Sequence, residues 1–263
     1  MIFFVVPIFG KCSKPIEISE KIRNMLSGED FIILFVDDNP QKNFSMKEEY
    51  KSHIGECAFF IKSGGVGQHR AVVYGIGYII QNFWELVSLS SYKNISGSPK
   101  LEDSIFIVMD GDLSYDADYI TIFLDKIRNS DLVLGISDKD YGLVRKIHTS
   151  LFYYLVYYII HMFLYFNKGK LNSMPYWISE HQILSRITTF VAFKSKIFNP
   201  EPDIRNFIVY LIFSAIRCGV DIDFVYLKKN FHNCSSYNFI KLFKLSQDTI
   251  VQIIKSIWSL RKN

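Results

Sequence analysis

Cysteine is scarce: Cys12, Cys57, Cys218 and Cys234 lie far apart in a chain of 263 residues, and no two of them form a CxxC pair. That excludes a disulfide-stapled scaffold and fits reduced, mostly buried thiols of a cytoplasmic protein. Histidine is thin as well, with 6 in the chain, and no histidine–carboxylate grouping has zinc spacing. His181 and His232 read as polar surface residues. A long apolar run is also missing. The best candidate, Leu151–Phe166, has 16 mostly apolar residues, short of the ~20 that cross a bilayer. The apolar start Ile2–Ile8 has no basic segment before it, so a first core strand is expected there rather than a signal peptide.

What is present is core-forming. The 263 residues are enough for one large domain or a domain with an appendage, and with 49% hydrophobic and 16% aromatic residues a sizeable core is expected and disorder is not. The net charge of +4 is unevenly spread. Residues 226–263 carry seven basic residues against Asp248 alone, a net of +6 that leaves −2 for the rest. A basic tail on a near-neutral body points to an anionic partner: lipid, nucleic acid or a phosphorylated ligand. Nucleic acid is the least expected, because no aromatic–basic platform accompanies the tail.

The first half alternates two periods. Strands are expected at Ile2–Ile8, Phe31–Val36, Ala58–Ile61, Ile105–Met109 and Leu132–Ile136, and helices at Ile16–Leu26, Val66–Ile80 and Asp118–Arg128. Ser13 or Pro15 would start the first helix and Gly28 lies beyond its end. Such alternation predicts a parallel, doubly wound α/β sheet, whose ligands sit at the carboxyl ends of the strands. Asn82–Asp103 is a Ser-rich connection that reads as a surface insertion. Leu151–Phe166, with eight aromatics, fits a buried helix or one lying in a membrane interface. From Phe239 to Leu260 the spacing is helical: Phe239, Leu242, Phe243, Ile250, Ile253, Ile254 and Ile257 share a face, with Lys241, Lys244 and Lys255 toward the other side.

Asp110-Gly111-Asp112 closes the apolar run Ile105–Met109. In extended backbone, side chains two positions apart point the same way. Two adjacent carboxylates are costly unless they share a cation, and oxygen ligands suit Mg²⁺ or Mn²⁺, which also bind phosphate oxygens. The plain alternative is an Asp-Gly turn at a strand end.

Four segments follow in one order: Val5-Val6-Pro7-Ile8-Phe9, Phe35-Val36-Asp37-Asp38, the glycine-rich helix entry Gly64-Gly65-Val66-Gly67-Gln68-His69-Arg70-Ala71 with Gly75-Ile76, and Asp110-Gly111-Asp112. The glycine-rich piece follows the third strand, not the first, which argues against a dinucleotide fingerprint. Together the four resemble the family 2 glycosyltransferases of the GT-A fold, with their VIPxYN, VDDGS, G-x-x-x-A-x-x-x-G-like and DxD segments. Downstream, Arg145-Lys146-Ile147-His148-Thr149-Ser150-Leu151-Phe152-Tyr153, Ile183-Leu184-Ser185-Arg186 and Ser235–Leu242 followed by Asp248 resemble the branch acting on dolichyl or undecaprenyl phosphate.

The resemblance implies a GT-A-like domain over 1–225, with a Rossmann-like nucleotide-sugar half (1–112) and an acceptor half (113–225). A basic, amphipathic, membrane-proximal helical region would follow over 226–263. It implies an inverting, metal-dependent hexosyl transfer from a nucleotide-diphosphate sugar to a membrane-linked acceptor, polyprenyl phosphate or a lipid-linked glycan, in cell-surface polysaccharide or glycan synthesis. The enzyme would sit peripherally on the cytoplasmic face of an anionic membrane. Asp110 and Asp112 would hold Mg²⁺ or Mn²⁺ and, with Arg145, form the catalytic set. Asp37 and Asp38 would meet the base or ribose, Pro7–Phe9 would wall the nucleotide pocket, and Gly67 and Arg70 would approach the nucleotide. Arg70 could equally form a surface pair. Lys146, Thr149, Ser185 and Arg186 would position the acceptor.

Several positions depart from the pattern. Gly10 stands for the usual Asn, Asn39-Pro40 for Gly-Ser, Ser114 for Gln, Asn230 and Asn233 for Arg and Gly, and Ser137-Asp138 where a basic residue often stands. Lys228 or Lys229 would replace the lost phosphate contacts approximately. A hydroxyl acceptor would need a base, for which Glu180 and Asp203 are candidates, though each also reads as a surface carboxylate. The degenerate motifs also fit a non-catalytic nucleotide-sugar-binding subunit. Nucleotide transfer to a sugar phosphate is disfavoured, because only Gly10-Lys11-Cys12-Ser13 follows the first strand where such enzymes carry a long glycine-rich signature.

Overall fold

The computed structural model describes residues 1–9, 13–39, 57–89, 99–138, 158, 186–199, 204–230 and 247–255. Arg145, Lys146, Thr149, Ser185, Glu180, Asp203, the Ser235–Leu242 segment and all of Leu151–Phe166 except Tyr158 lie outside them.

Among the described residues seven strands form one sheet: β1 (Ile2–Ile8), β2 (Phe31–Asp37), β3 (Ala58–Lys62), β4 (Ile105–Val108), β5 (Leu132–Ser137), β6 (Ile187–Lys194) and β7 (Ile222–Leu227). Their order is β3-β2-β1-β4-β6-β5-β7. Only β6 runs against its neighbours, so the sheet is parallel apart from that one strand. Every residue of β1, β2 and β5 is buried, as expected of strands covered on both faces.

The alternation of side chains divides the core in two. Phe3 and Val5 of β1 face one side, with α2 (Gln68–Gln81), α3 (Phe83–Leu89) and α5 (Phe207–Cys218). Phe4, Val6 and Ile8 face the other, with α1 (Pro15–Met25) and α4 (Tyr119–Asn129). This is a doubly wound sheet.

A ring ladder helps fix the centre. Phe3 stacks on Phe106 at 5.4 Å and Phe106 on Phe193 at 5.3 Å, crossing β1, β4 and β6. Each such pair adds about 0.5–1.5 kcal/mol beyond its buried area, and the Phe106–Phe193 pair marks the antiparallel register of β6 on β4. Helix α2 lies close to the sheet because Gly75 carries no side chain: a Cβ there would stand 2.7 Å from Val36 Cγ2 and 2.9 Å from Val5 Cγ1.

Local differences from expectation have physical causes. Ser13 does not cap α1; its Oγ accepts the Phe9 N–H at 2.8 Å, and Pro15 opens the helix. The Ser-rich connection contains α3, a seven-residue helix that buries Phe83 and Leu86. The boundary expected after residue 225 falls inside β7, which stays in the sheet to Leu227. In the tail, residues 247–255 are helical, but the packed face is Thr249, Gln252 and Ile253, while Ile254 is exposed. Polar bonds select that face: Asn206 Nδ2 donates to Thr249 Oγ1 at 2.7 Å and the Arg205 N–H to Gln252 Oε1 at 2.9 Å. Among the described residues, no helix is long and apolar enough to cross a membrane.

Candidate active site

Strands β2, β1 and β4 are neighbours and run in the same direction, so their carboxyl ends share one edge. Pro7 and Ile8 lie at its middle. On one side the Asp38 N–H donates to Ile8 O at 3.0 Å. On the other, Gly111 approaches so closely that a Cβ would stand 2.6 Å from Pro7 O. The acidic pair of β2 and the Asp110–Asp112 turn thus flank the end of β1, and Phe9, 54% exposed, projects at the rim.

The expectation that Asp110 and Asp112 point the same way from an extended strand is corrected. Strand β4 stops at Val108, Gly111 and Asp112 form a turn, and Leu113 takes a φ of 55°. The two carboxylates are held differently. Asp110 Oδ1 accepts Gln68 Nε2 at 2.6 Å and the Thr189 hydroxyl. Asp112 Oδ1 accepts its own loop, the Ser114 N–H at 2.9 Å, and its Oδ2 has no hydrogen bond among the described residues.

Asp38 is buried and fully engaged with the glycine-rich entry. Its Oδ1 accepts the Ser63 hydroxyl and the Val66 N–H, each at 2.7 Å, and its Oδ2 the Gly67 N–H at 2.8 Å. Gly67 itself caps α2 at φ 95°, a backbone that a side chain would strain. Asp37 is also buried. Desolvation pushes its carboxyl above the usual range, partly offset by the Asn39 N–H and by Lys62, while the Asp38 charge adds to the rise. Arg70 is exposed on the first turn of α2 and pairs with no described carboxylate.

The antiparallel strand brings residues from the later part of the chain to the same edge. Because β6 runs against β4 and β5, its first residues lie where theirs end: Ser137 N–H donates to Arg186 O at 2.9 Å. Arg186 is exposed there. Past β7 the chain folds onto the loop after Asp112. Lys229 bridges to Tyr115, Asn230 N–H donates to Ser114 O at 2.8 Å, and Asn230 Nδ2 to Leu113 O at 3.3 Å. Lys228 and Lys229 form no ion pair with a described carboxylate. Gln68, Ser63 and Thr189 carry no assigned role in the sequence patterns above. Gln68 stood inside the glycine-rich segment, and Thr189 three residues past Arg186.

No protein-family model matches the chain, and no curated protein matches it in sequence. Solved structures do match in fold. A mannosyl-3-phosphoglycerate synthase from Rubrobacter xylanophilus superposes with a TM-score of 0.57 at 11% identity, covering 100% of this chain and 76% of that one. A glucosyl-3-phosphoglycerate synthase from Mycobacterium tuberculosis in complex with UDP gives 0.55 at 14%, covering 98% and 80%. The latter enzyme in complex with Mn²⁺ and uridine-diphosphate-glucose gives 0.54 at 12%, covering 98% and 79%. This is the GT-A fold. At such identities the likeness carries the architecture, and GT-A describes the sheet, its two helical layers and the edge on which Asp37–Asp38 and Asp110–Asp112 lie.

Proposed function

We propose that the chain transfers a sugar from a nucleotide-diphosphate donor, with a divalent cation, to an acceptor that carries an anionic group. The observation that carries the reading is the Asp110–Asp112 turn seated against Pro7, one strand away from the buried Asp37–Asp38 pair. The neighbouring structures solved with Mn²⁺, UDP or uridine-diphosphate-glucose support the same class of donor and metal.

The donor set fits a hard cation. Among the described residues, no three His, Cys, Asp or Glu side chains gather as a metal group. Two carboxylates alone suit Mn²⁺ or Mg²⁺, which take their remaining ligands from phosphate oxygens and water. Asp112, whose Oδ2 is uncommitted, would be the principal ligand, with Asp110 beside it. The cation would supply charge stabilisation for the departing nucleoside diphosphate. Asp38 has at most its remaining lone pairs for a ribose or base donor, so its main work is to hold the 63–67 segment at the rim. Asp37, Pro7, Phe9, Gly67 and Arg70 would complete the donor pocket.

For the acceptor, Arg186, Lys228 and Lys229 supply cationic and hydrogen-bonding groups at the same edge, and Arg145, Lys146, Thr149 and Ser185 would add to them. The branch that the sequence resembles takes polyprenyl phosphate, and one neighbour was solved with phosphoglyceric acid. Both present a phosphate. A polyprenyl phosphate would attack through its own ionised oxygen and needs no strong general base, whereas phosphoglyceric acid would attack through a hydroxyl, with its phosphate as a recognition group, and would need one. Contact with anionic lipid would use the basic residues of 226–263 on faces other than Thr249–Gln252–Ile253, which are packed.

The test combines UDP-, GDP- and dTDP-sugars with Mn²⁺ and three acceptors: undecaprenyl phosphate in vesicles, 3-phosphoglycerate, and a lipid-linked oligosaccharide without a terminal phosphate. Glycosylated product from either phosphate-bearing acceptor is expected, and which one turns over names the acceptor. Turnover restricted to the oligosaccharide hydroxyl would overturn the phosphate reading. Neither turnover nor donor hydrolysis with any combination would overturn the enzymatic one.

A further inference from the structure

Asp110 is the point where three elements meet. It stands just beyond β4, Gln68 is the first residue of α2, and Thr189 lies on β6. Gln68 Nε2 donates to Asp110 Oδ1 at 2.6 Å, Thr189 Oγ1 reaches the same oxygen, and Gln68 Nε2 lies 3.5 Å from Thr189 Oγ1. The direction of each bond is dictated by chemistry. An ionised carboxylate only accepts, so the amide must present its NH₂ end and the threonine must donate its hydroxyl hydrogen. The second amide hydrogen is then aimed at the threonine oxygen. Each of the three side chains is thus bonded to the other two.

We propose that Gln68 and Thr189 are positioning residues for the cation site, fixing the Asp110 carboxylate so that the site exists only when α2 and β6 are both seated. The inference rests on the metal-dependent donor binding proposed above. It goes beyond that reading because it makes the first carboxylate depend on two neutral side chains from separate elements. Asp112, by contrast, is oriented by its own loop through the Ser114 N–H. The arrangement also links the halves: the glycine-rich entry that Asp38 clasps leads directly into Gln68, and the strand that carries Thr189 begins beside Arg186. Groups that orient a ligating side chain in this way set metal affinity by about 10–100-fold in known sites.

The experiment measures Mn²⁺ binding by electron paramagnetic resonance of the free ion, with saturating UDP, GDP or dTDP, whichever raises the wild-type melting temperature. Thr189→Val removes the donor at nearly constant volume, and Thr189→Ser restores it. Gln68→Leu removes the amide from a helix end without touching the sheet, and serves if the valine variant fails to fold. Thr189→Val and Gln68→Leu are expected to weaken Mn²⁺ binding about tenfold or more, with Thr189→Ser within about twofold of wild type and the metal-free melting temperatures close together. Wild-type Mn²⁺ affinity in both Thr189→Val and Gln68→Leu overturns the positioning role and leaves the proposed activity standing. Wild-type protein that retains no Mn²⁺ with any of the nucleotides overturns the metal-dependent reading, and the inference with it.

Discussion

Asp38 Oδ2 accepts the backbone N–H of Gly67 at 2.8 Å, joining the end of β2 to the start of α2 across 29 residues of sequence. With Val66 N–H and the Ser63 hydroxyl on Oδ1, one carboxylate organises the whole glycine-rich entry. Asp38→Asn can present an oxygen on one side only, so its NH₂ would face a backbone N–H or the Ser63 hydroxyl. Leaving a buried donor unmatched costs about 1–3 kcal/mol. The variant should lose that much in urea unfolding. It should also lose most of the thermal shift given by nucleotide with Mn²⁺, because the rim segment is released. An unchanged unfolding midpoint would show that the clasp is dispensable.

Gly111 is required by space. A Cβ there would stand 2.6 Å from Pro7 O and 2.8 Å from Ile8 Cγ2, and the backbone oxygen belongs to the buried, paired β1. Gly111→Ala should therefore displace the turn, at about 1–3 kcal/mol of overpacking, and pull both flanking carboxylates off their positions. Loss of Mn²⁺ binding larger than the loss of stability is the expected signature, read by metal titration beside chemical denaturation.

His69, on the first turn of α2, has its Nδ1 buried without a hydrogen-bond partner among the described residues. Burial lowers its pKa from 6.5 to about 4, and the Asp248 charge offsets only part of that. In the unfolded chain the imidazole takes up a proton near pH 6.5, while in the folded protein it stays neutral until about pH 4. The unfolded state thus binds more protons across that interval, and stability falls as pH drops from 6.5 to 4. At about 1.4 kcal/mol per pH unit, the upper bound is roughly 3 kcal/mol. Wild type should lose stability relative to His69→Leu over that range and show no such trend from pH 7 to 8, as measured by urea midpoints. A constant difference between the two proteins from pH 7 to 4.5 would contradict the buried, neutral imidazole.

The parallel part of the fold is legible because its signals are local. The apolar runs of β1, β2 and β5 are long and flanked by Gly, Asp or Pro, and burial on both faces makes them nearly continuous. Helix α3 is hidden because seven residues with two buried positions, Phe83 and Leu86, carry little periodicity. For α5 the signals exist: Asn206 caps it by accepting the Val209 N–H, and Gly219 closes it at φ 62°. Strand β6, Ile-Thr-Thr-Phe-Val-Ala-Phe-Lys, is recognisable by its β-branched and aromatic content. That it enters the sheet antiparallel between β4 and β5 is a pairing choice that no local pattern encodes. The contact of Thr189 with Asp110 is a consequence of that choice, so the chain shows the carboxylates of the candidate site but not the side chains from other elements that touch them. The described part of the tail differs from its hydropathic face for a related reason: Ile253 is buried as its spacing predicts, but Thr249 and Gln252 are buried beside it by hydrogen bonds to Asn206 and Arg205, while Ile254 is exposed.

Asp112 differs from Asp110 in that a single backbone N–H, that of Ser114, orients it. Replacing it should therefore disturb the fold little and the cation site greatly. Asp112→Asn keeps an oxygen for the Ser114 N–H and removes the negative charge, so the melting temperature without ligand should stay near that of wild type. A nucleotide bound with Mn²⁺ stabilises by RT ln(1 + [L]/Kd), about 2.7 kcal/mol at a hundredfold excess over Kd. In the variant that increment should shrink toward the value seen with nucleotide in EDTA, and sugar transfer should fall by at least about a hundredfold, the scale of losing one group that stabilises developing charge. If Asp112→Asn turns over donor equally in Mn²⁺ and in EDTA at the wild-type rate, the Asp110–Asp112 segment is the plain Asp-Gly turn, and the cation has no place at this edge.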